Sequence, residues 1–425
     1  MLSLSVALIG IEGFGRVHVD SIVRLSGEGA LRCAAFADPG ASPEGDSYRA
    51  LTGLGAAPYK DMDTLLQERS DIDAVIIATP LALHRDMAIT AMRAGRHVLV
   101  EKPPAVTVQD VDAMIRVQEE TGRLCAVNFQ NVSGSAFRRT LEAVRGGAAG
   151  RVKRIVGTGL WNRTERYYNR TPWAGRLTMN GRLVLDGTLM NPFAHLLQNC
   201  LLLADAAAGG MGPADGGADP ANGALLEAIE AEMYHANPIE GDDTACIRIM
   251  ASGGIEICVY VTLCYQGNAL PPKIEIFGDE GVIHWDYTNR FELVRHGGRT
   301  ESYAAPEEHL LDRMYRNFLD AAAGRAELYC PIRRCRPYIM AAGGALLSSG
   351  GVHKIPEDAY VVQGEGDLRS RVIPNVAELF RTAGERGALL SELGVPWAVS
   401  GKRLPLADFR EFQLPPGLIG KGPAQ

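Results

Sequence analysis

The chain has 425 residues, of which 46% are hydrophobic and 22% are charged, and its formal net charge is −7. This length exceeds what one ordinary hydrophobic core holds and predicts two or three domains. The mildly acidic balance argues against nucleic acid or an anionic membrane as the main partner, because either favours a basic protein face.

The sequence carries no targeting or metal-binding pattern. No apolar run is long enough to span a bilayer, and no basic segment with a cleavage site precedes the first predicted strand, so we expect neither a membrane helix nor a signal peptide. The eight cysteines form no C-x-x-C pair. We therefore expect no metal site, and we expect reduced thiols in a cytoplasmic protein.

A glycine-rich turn follows the first predicted strand, the apolar run at residues 6–9. Gly10, Gly13 and Gly15 lie in this turn, and helical spacing begins directly after it. A strand that turns through glycine into a helix presents unpaired N–H groups, which favour a phosphate. In a G-x-G-x-x-G pattern the middle glycine lets a pyrophosphate approach the backbone, but Glu12 occupies that position here. By itself the turn fits a dinucleotide site and a plain strand-to-helix turn about equally well.

Residues 1–130 alternate apolar strand-like runs with amphipathic helical segments, a pattern typical of a parallel sheet covered by helices on both faces. We predict a Rossmann-type doubly wound α/β domain there. Ligands bind such sheets beyond the carboxyl ends of the strands, and the predicted strand ends bear Asp38, Thr79, Glu101 and Asn128 as well as the glycine turn. Asp38 lies near the place, about 20 residues past the turn, of an acid that binds a ribose. This convergence favours a dinucleotide.

From residue 151 the apolar residues alternate with period two, as in strands that have one wetted face. We predict a second domain over residues 131–425, an α+β domain with a large, mostly antiparallel open sheet, and with C-terminal helices and a tail from about residue 305. Residues 204–224 are rich in Gly, Ala, Pro and Asp, and this composition predicts a long loop. Asp242 and Asp243 could suggest a metal, but a solvated turn is favoured.

The segment Arg166–Trp173 combines aromatic side chains with arginines. Aromatic faces suit a polyhydroxylated ligand and arginine suits an acidic one, so Tyr168, Arg170 and Trp173 are candidates for substrate binding. A surface loop whose aromatic rings merely cover the sheet explains the composition as well.

A second candidate segment covers residues 185–197. Pro192 is well placed as a first helical residue, which predicts Asn191 as the N-cap, with His195 one turn later on the same face. The simpler interpretation is that Asn191 only caps the helix and that His195 packs in the core.

The motifs Gly13-Phe14-Gly15-Arg16-Val17-His18, Ala37-Asp38-Pro39, Thr79-Pro80 with His84, and Glu101-Lys102-Pro103 resemble those of the glucose-fructose oxidoreductase / inositol dehydrogenase (Gfo/Idh/MocA) family. The resemblance implies an active site between the two domains. Lys102 would reach the nicotinamide ribose and the substrate hydroxyl, His195 would act as acid or base, and Asn191 replaces an acid that family members carry. The implied cofactor-binding residues are Gly10, Gly13, Phe14, Gly15, Asp38, Thr79, Pro80, His84, Glu101, Lys102 and Asn128.

We therefore expect an NAD(P)-dependent oxidoreductase that transfers a hydride between nicotinamide and a secondary alcohol or ketone of a sugar, cyclitol or related polyol. Asp38 favours NAD over NADP, because a 2′-phosphate would meet a carboxylate. The imidazole of His195, with an unperturbed pKa of about 6.5, can accept the proton of the substrate hydroxyl near neutral pH.

The alternatives are an NAD-using glycoside hydrolase without net redox and a non-catalytic member that binds dinucleotide or sugar. Family members often form homo-oligomers, so we expect a dimer or tetramer.

Overall fold

Six parallel strands form the sheet of the first of two units into which the chain divides. The structure, a computed structural model, describes residues 4–209 and 226–418. The first unit contains the residues up to Ala105 together with Gln109–Gly134 and Glu307–Arg336, and the second contains Val106–Val108, Ser135–Pro306 and the residues from Pro337 onward.

Continuous apolar runs build the first sheet, as the sequence predicts. Its strands are β1 (Leu4–Ile9), β2 (Leu31–Ala37), β3 (Ala57–Tyr59), β4 (Ala74–Ile77), β5 (His97–Glu101) and β6 (Cys125–Asn128). They lie in the order β3-β2-β1-β4-β5-β6. This is the order of a Rossmann sheet, with its switch point between β1 and β4. The predicted fold class is confirmed.

Helices connect these strands and cover the sheet. They are α1 (Gly15–Gly27), α2 (Asp46–Gly53), α3 (Met62–Glu68), α4 (His84–Arg93) and α5 (Val108–Thr121). Buried side chains of α1 recur at Val19, Ile22 and Leu25, the spacing that places one helical face on a sheet.

The first unit also includes residues 307–336, which the sequence analysis assigns to the second domain. Here α9 (Leu310–Ala322) packs against α1. The Arg24 guanidinium donates to both carboxylate oxygens of Asp312 at 2.9 Å, and Ser133 Oγ donates to the Leu310 carbonyl at 2.7 Å. These contacts explain why a segment distant in sequence belongs to the first unit.

The second unit is organised around a large sheet, which is mostly antiparallel as predicted. Its strands are β7 (Val152–Leu160), β10 (Leu226–His235), β11 (Thr244–Ala251), β12 (Ile255–Thr262), β13 (Lys273–Gly278), β14 (Gly281–Asp286), β15 (Arg290–Arg295), β16 (Thr300–Ala304), β17 (His353–Lys354) and β20 (Leu404–Pro405). They lie in the order β16-β15-β14-β13-β7-β12-β11-β10-β17, and β20 also pairs with β10. Only the β7–β12 and β10–β17 pairs are parallel among these described strands.

The described residues of the second unit also form two small sheets and five helices. The small sheets pair β8 (Thr178–Met179) with β9 (Arg182–Leu183), and β18 (Val361–Gln363) with β19 (Ser370–Val372). The helices are α6 (Ser135–Arg145), α7 (Glu165–Tyr168), α8 (Ala194–Ala207), α10 (Arg336–Ser349) and α11 (Val376–Arg386).

Helix α8 is buried along nearly its whole length and packs closely on β7. A Cβ atom on Gly159 of β7 would lie 2.4 Å from Cε1 of Phe193, so glycine is required for this approach. Because α8 extends through Ala207, the start of the predicted 204–224 loop is helical, and residues 210–224 of that loop lie outside the described residues. Within the part of the chain that the structure describes, no helix combines the length and the apolar character needed to cross a bilayer.

We predict that Gly159→Ala lowers the free energy of unfolding by about 1–3 kcal/mol, because the added methyl group overlaps the Phe193 ring and forces α8 away from the sheet. Urea unfolding measures the change. Gly27→Ala is the matched control, because a Cβ atom at Gly27 meets nothing within 4 Å. An equal loss in both variants would contradict close packing at Gly159.

Candidate functional site

The glycine turn after β1 is held tightly against the neighbouring strands. Gly10 N donates to the Ala37 carbonyl at 2.9 Å, and a Cβ atom on Gly10 would lie 2.7 Å from the Ala78 oxygen. A Cβ atom on Gly15 would lie 2.3 Å from the Gly10 oxygen. Gly13 has a φ of +59°, a conformation that favours glycine, and a Cβ atom there would meet nothing within 4 Å. The turn therefore leaves open backbone at Gly13 just before α1.

Glu12, which replaces the middle glycine, forms an ion pair with Arg16. The Arg16 Nε and Nη2 atoms donate to Glu12 Oε2 at 2.9 and 2.6 Å. The other carboxylate oxygen lies 3.7 Å from the Cβ position of Gly45, in the segment before α2. The pairing offsets the negative charge that a pyrophosphate would otherwise meet in this turn.

Asp38 follows β2 and stabilises the turn from the next strand. Its Oδ2 accepts from Ile11 N and its Oδ1 accepts from Gly40 N, both at 2.9 Å. A carboxylate oxygen accepts more than one hydrogen bond, so Asp38 can also accept from a ribose hydroxyl. The sequence pattern located this acid but gave no indication that it also fixes the glycine turn.

Glu101, the last residue of β5, is the centre of a buried hydrogen-bond network. His18 Nε2 donates to Glu101 Oε1 at 2.8 Å, Asn128 Nδ2 donates to the same atom at 2.5 Å, and Lys102 N donates to Oε2 at 3.1 Å. The Tyr315 hydroxyl lies 2.8 Å from His18 Nδ1, so a neutral ring that accepts at Nδ1 and donates from Nε2 satisfies both contacts.

This network fixes the charge of Glu101. Burial by itself raises the pKa of Glu101, but the hydrogen bonds from His18 and Asn128 and the charge of Lys102 outweigh burial, so the pKa lies below its ordinary value. The ionised Glu101 directly precedes Lys102 and holds its backbone N–H. Sequence reasoning missed the roles of His18 and Tyr315, although His18 lies within the Gly-Phe-Gly-Arg-Val-His motif.

The segment after β4 contains Thr79 and Pro80, and His84 ties it to the loop after β5. The two ring nitrogens of His84 lie 2.7 Å from the carbonyl oxygens of Thr79 and Pro103. The ring is buried, and it links the backbone at the end of β4 to the backbone just after β5. A direct contact between His84 and a cofactor remains a prediction.

In the second unit, Asn191 does not serve as the predicted N-cap. Helix α8 begins at Ala194 with Phe193 in the capping position, so the prediction of Asn191 as N-cap is wrong. Asn191 Nδ2 instead donates to Asp186 Oδ1 at 2.9 Å, and Asp186 Oδ2 accepts from Gly175 N at 2.6 Å. A carboxylate therefore lies within hydrogen-bond distance of Asn191, the residue that replaces the acid of the family pattern.

His195 lies in the first turn of α8 and is 8% exposed. It is three residues after Pro192, in a helix whose other described residues are almost all buried. This burial is compatible with both predicted interpretations of His195, an acid or base and a packed core histidine.

The three predicted substrate-binding residues Tyr168, Arg170 and Trp173 lie in and just after the short helix α7. The Arg170 guanidinium carbon lies 5.0 Å from the centroid of the Trp173 ring. The Tyr168 hydroxyl is buried and has no hydrogen-bond partner among the described residues, and burial raises its pKa well above the ordinary value. Tyr168 is thus a neutral phenol.

Asp242 and Asp243 are buried, so the prediction of a solvated turn is wrong. Asp243 Oδ2 accepts from the backbone N–H groups of Ala236 and Asn237 at 2.9 and 2.8 Å. Asp242 Oδ2 accepts from Thr188 N at 3.0 Å, and burial raises the pKa of Asp242 to about 7 although the Thr188 hydrogen bonds oppose the shift. Among the residues with described positions, no cluster of His, Cys, Asp and Glu could hold a metal ion.

The six-strand order, the glycine turn and the polar strand ends define a Rossmann-type nucleotide-binding unit. Residues 4–129 match the family model GFO_IDH_MocA, described as "Oxidoreductase family, NAD-binding Rossmann fold". The match confirms, over this part of the chain, the resemblance to the Gfo/Idh/MocA family drawn from the sequence motifs.

Named relatives match only part of their own length. The chain is 30% identical over 189 residues to a glycosyl hydrolase family 109 protein of Saccharopolyspora erythraea, a match over 43% of this chain and 41% of that protein. It is 28% identical over 229 residues to levoglucosan dehydrogenase of Pseudarthrobacter phenanthrenivorans, which covers 52% of this chain and 57% of that protein.

Similarity to solved structures extends over most of the chain. A structure of levoglucosan dehydrogenase in complex with NADH and levoglucosan superposes with a TM-score of 0.67 at 20% identity, and it covers 82% of this chain and 97% of that chain. At this identity the match establishes the shared fold.

We predict that His18→Phe lowers the free energy of unfolding by about 2–3 kcal/mol, because the ring volume is kept while the buried Glu101 carboxylate loses a donor. Tyr315→Phe removes only the outer hydrogen bond of the network and should cost about 1 kcal/mol. Chemical denaturation measures both values. Equal losses, or none for His18→Phe, would contradict the network as described.

A second prediction concerns pH and Asp242. The unfolded carboxyl titrates at about 3.9, below the folded pKa of about 7, so the folded state binds more protons between these values and its stability falls as pH rises. The stability of the wild type relative to Asp242→Asn should fall by up to about 1.4 kcal/mol per pH unit from pH 4 to 7. Urea unfolding across this range measures the difference, and a constant difference would contradict a buried, protonated Asp242.

Proposed function

We propose that the protein is an NAD-dependent oxidoreductase that transfers a hydride between nicotinamide and a secondary alcohol or ketone of a sugar, cyclitol or related polyol. The observation that carries the proposal is the convergence of the glycine turn, Asp38, Thr79, Lys102 and Asn128 beyond the carboxyl ends of parallel strands. Ligands of doubly wound sheets bind there. The names of relatives, among them scyllo-inositol 2-dehydrogenase (NAD(+)) of Bacillus subtilis, support the reaction class.

The first unit fits a dinucleotide on its own contacts. Open backbone at Gly13, next to the start of α1, suits a pyrophosphate. Asp38 suits the adenosine ribose and disfavours a 2′-phosphate, which supports NAD over NADP. The Asn128 amide oxygen is buried without a hydrogen-bond partner among the described residues, and it could accept from a bound cofactor. Phe14, Thr79, Pro80 and His84 would line or support the same site.

Bound nicotinamide supplies the hydride acceptor or donor, and the residues of the chain supply binding and proton transfer. Lys102, positioned by Glu101, would hold the ribose and stabilise negative charge on the substrate oxygen. His195 would accept the hydroxyl proton as the alcohol is oxidised. Asn191, oriented by Asp186, would hydrogen-bond the substrate, and Tyr168, Arg170 and Trp173 would bind the rest of the sugar.

A second candidate function is an NAD-using glycoside hydrolase without net redox, which the similarity to a glycosyl hydrolase family 109 protein favours. Release of free sugar from a glycoside without accumulation of NADH would identify it. A non-catalytic member that binds dinucleotide or sugar would show neither sugar release nor NADH formation.

We also propose a cytoplasmic location and a homo-oligomeric state, either a dimer or a tetramer. Each of the eight cysteines is a free buried thiol, as expected of a protein in a reducing compartment. The oligomeric state is proposed from the family resemblance, and size-exclusion chromatography with light scattering measures it.

The central test is the substitution Lys102→Ala. We expect NAD binding, measured by calorimetry, to stay within a few fold, while turnover of a panel of sugars and cyclitols, measured as NADH formation, falls by about 100-fold or more because charge stabilisation at the substrate oxygen is lost. Lys153→Ala, at an exposed position of β7, is the control. Equal turnover in wild type and Lys102→Ala would remove Lys102 from the mechanism, and failure of the wild type to bind NAD would refute the proposed function.

A further inference from the structure

Two guanidinium groups alternate with three aromatic rings around α7 of the second unit. We call this set the Arg–aromatic stack; it consists of Trp161, Arg163, Tyr167, Arg170 and Trp173. The Arg163 guanidinium carbon lies 4.7 Å from the ring centroid of Trp161 and 5.1 Å from that of Tyr167. The corresponding distances of Arg170 are 3.7 Å to Tyr167 and 5.0 Å to Trp173.

The stack holds two positive charges that lack a carboxylate partner. In the described part of the chain, neither Arg163 nor Arg170 forms an ion pair, and their hydrogen bonds go to the backbone carbonyls of Asn162 and Tyr167 at 3.4 and 2.5 Å. The Nε atom of Arg163 is buried and has no hydrogen-bond partner among the described atoms.

Two neighbouring arginines outside the stack do form ion pairs. Arg166 pairs with Asp367 at 2.8 Å and Arg176 pairs with Glu240 at 3.0 Å. Ion pairing is therefore the usual state of an arginine in this region, and the two arginines of the stack depart from it.

Neither the Tyr167 phenol nor Asp186 neutralises these charges. Burial, followed by the charge of Asp186, raises the pKa of Tyr167 to about 12, so the phenol is neutral at physiological pH. The Asp186 carboxylate accepts from Asn191 and from Gly175 N. The stack thus presents positive charge that no described side chain offsets directly.

The stack is continuous with the helix that carries His195. The ring centroids of Trp161 and Phe193 lie 4.6 Å apart, and Phe193 occupies the capping position of α8. At the other end Arg170 is exposed to solvent. The stack therefore extends from the residue that caps α8 to a solvent-exposed guanidinium group.

We propose that the Arg–aromatic stack binds an anionic group, a carboxylate or a phosphate, of the sugar substrate. The inference rests on the proposed function, which supplies the sugar-like substrate, and adds that this substrate is acidic. The planar guanidinium fork matches the paired oxygens of either anion, and the aromatic rings hold that fork in one orientation. The C–H faces of a sugar ring can pack on the exposed parts of the same aromatic rings.

The test compares three ligands of one ring type on the full chain without added dinucleotide: D-glucuronate, D-glucose 6-phosphate and D-glucose. Calorimetry gives the affinities, and quenching of tryptophan fluorescence reports on the four tryptophans of the chain, two of which, Trp161 and Trp173, lie in the stack. We expect at least one acidic sugar to bind about tenfold or more tightly than glucose, because a charge-assisted hydrogen bond contributes that much. Tighter binding of D-glucuronate would identify a carboxylate as the preferred anion, and tighter binding of D-glucose 6-phosphate would identify a phosphate.

Arg170→Gln should remove most of the preference for the acidic sugar, and Arg170→Lys should retain part of it because it keeps the charge. Arg166→Gln, which alters a paired arginine outside the stack, should keep the full preference. Equal affinities for the three sugars, no measurable binding of either acidic sugar, or equal effects of Arg166→Gln and Arg170→Gln would overturn the proposal. NADH binding is measured in a separate experiment. If the protein binds NADH but shows no preference for acidic sugars, only this inference is refuted. If it prefers acidic sugars but does not bind NADH, only the proposed oxidoreductase function is refuted.

Discussion

The buried carboxylate of Glu101 is the charge on which the candidate site of the first unit depends. A carboxylate removed from water is costly unless it is fully hydrogen-bonded. Its donors come from α1, from β6 and from the backbone of Lys102. These elements must therefore take up one relative arrangement before the carboxylate is satisfied, and that arrangement sets the backbone position of Lys102.

The fold of the first unit could be predicted because its signals are local. Continuous apolar runs separated by amphipathic segments specify a parallel sheet, and polar residues directly after such runs lie at its carboxyl edge by geometry. The His18–Tyr315 contact could not be predicted, because 297 residues separate its partners and neither residue has a local pattern that points to the other. For the same reason the membership of residues 307–336 in this unit was missed.

In the second unit, the period-two alternation of apolar residues correctly predicted the open sheet. The predictions for two short polar segments, at Asn191 and at Asp242-Asp243, were wrong. The Asn-Pro pair suggested a helix start, yet the Asn191 side chain bonds to Asp186, so it is not available for capping. The composition of the Asp242-Asp243 pair predicts a solvated turn. Its burial depends on Gly187 and Thr188, whose contacts with Asp242 arise only in the folded unit. The role of the Arg–aromatic stack was likewise visible only in part, since Trp161 and Arg163 lie outside the segment that the composition singled out.

Because the first unit is discontinuous in sequence, part of it is synthesised long after its sheet. The six-stranded sheet is complete in sequence at Asn128, but Asp312 and Tyr315, the α9 partners of Arg24 and His18, belong to a segment that begins at Glu307. At translation rates of about 5–20 residues per second, the ribosome needs roughly ten to thirty seconds to reach that segment. During this interval the α1 side chains that contact α9 in the folded unit are without their partners.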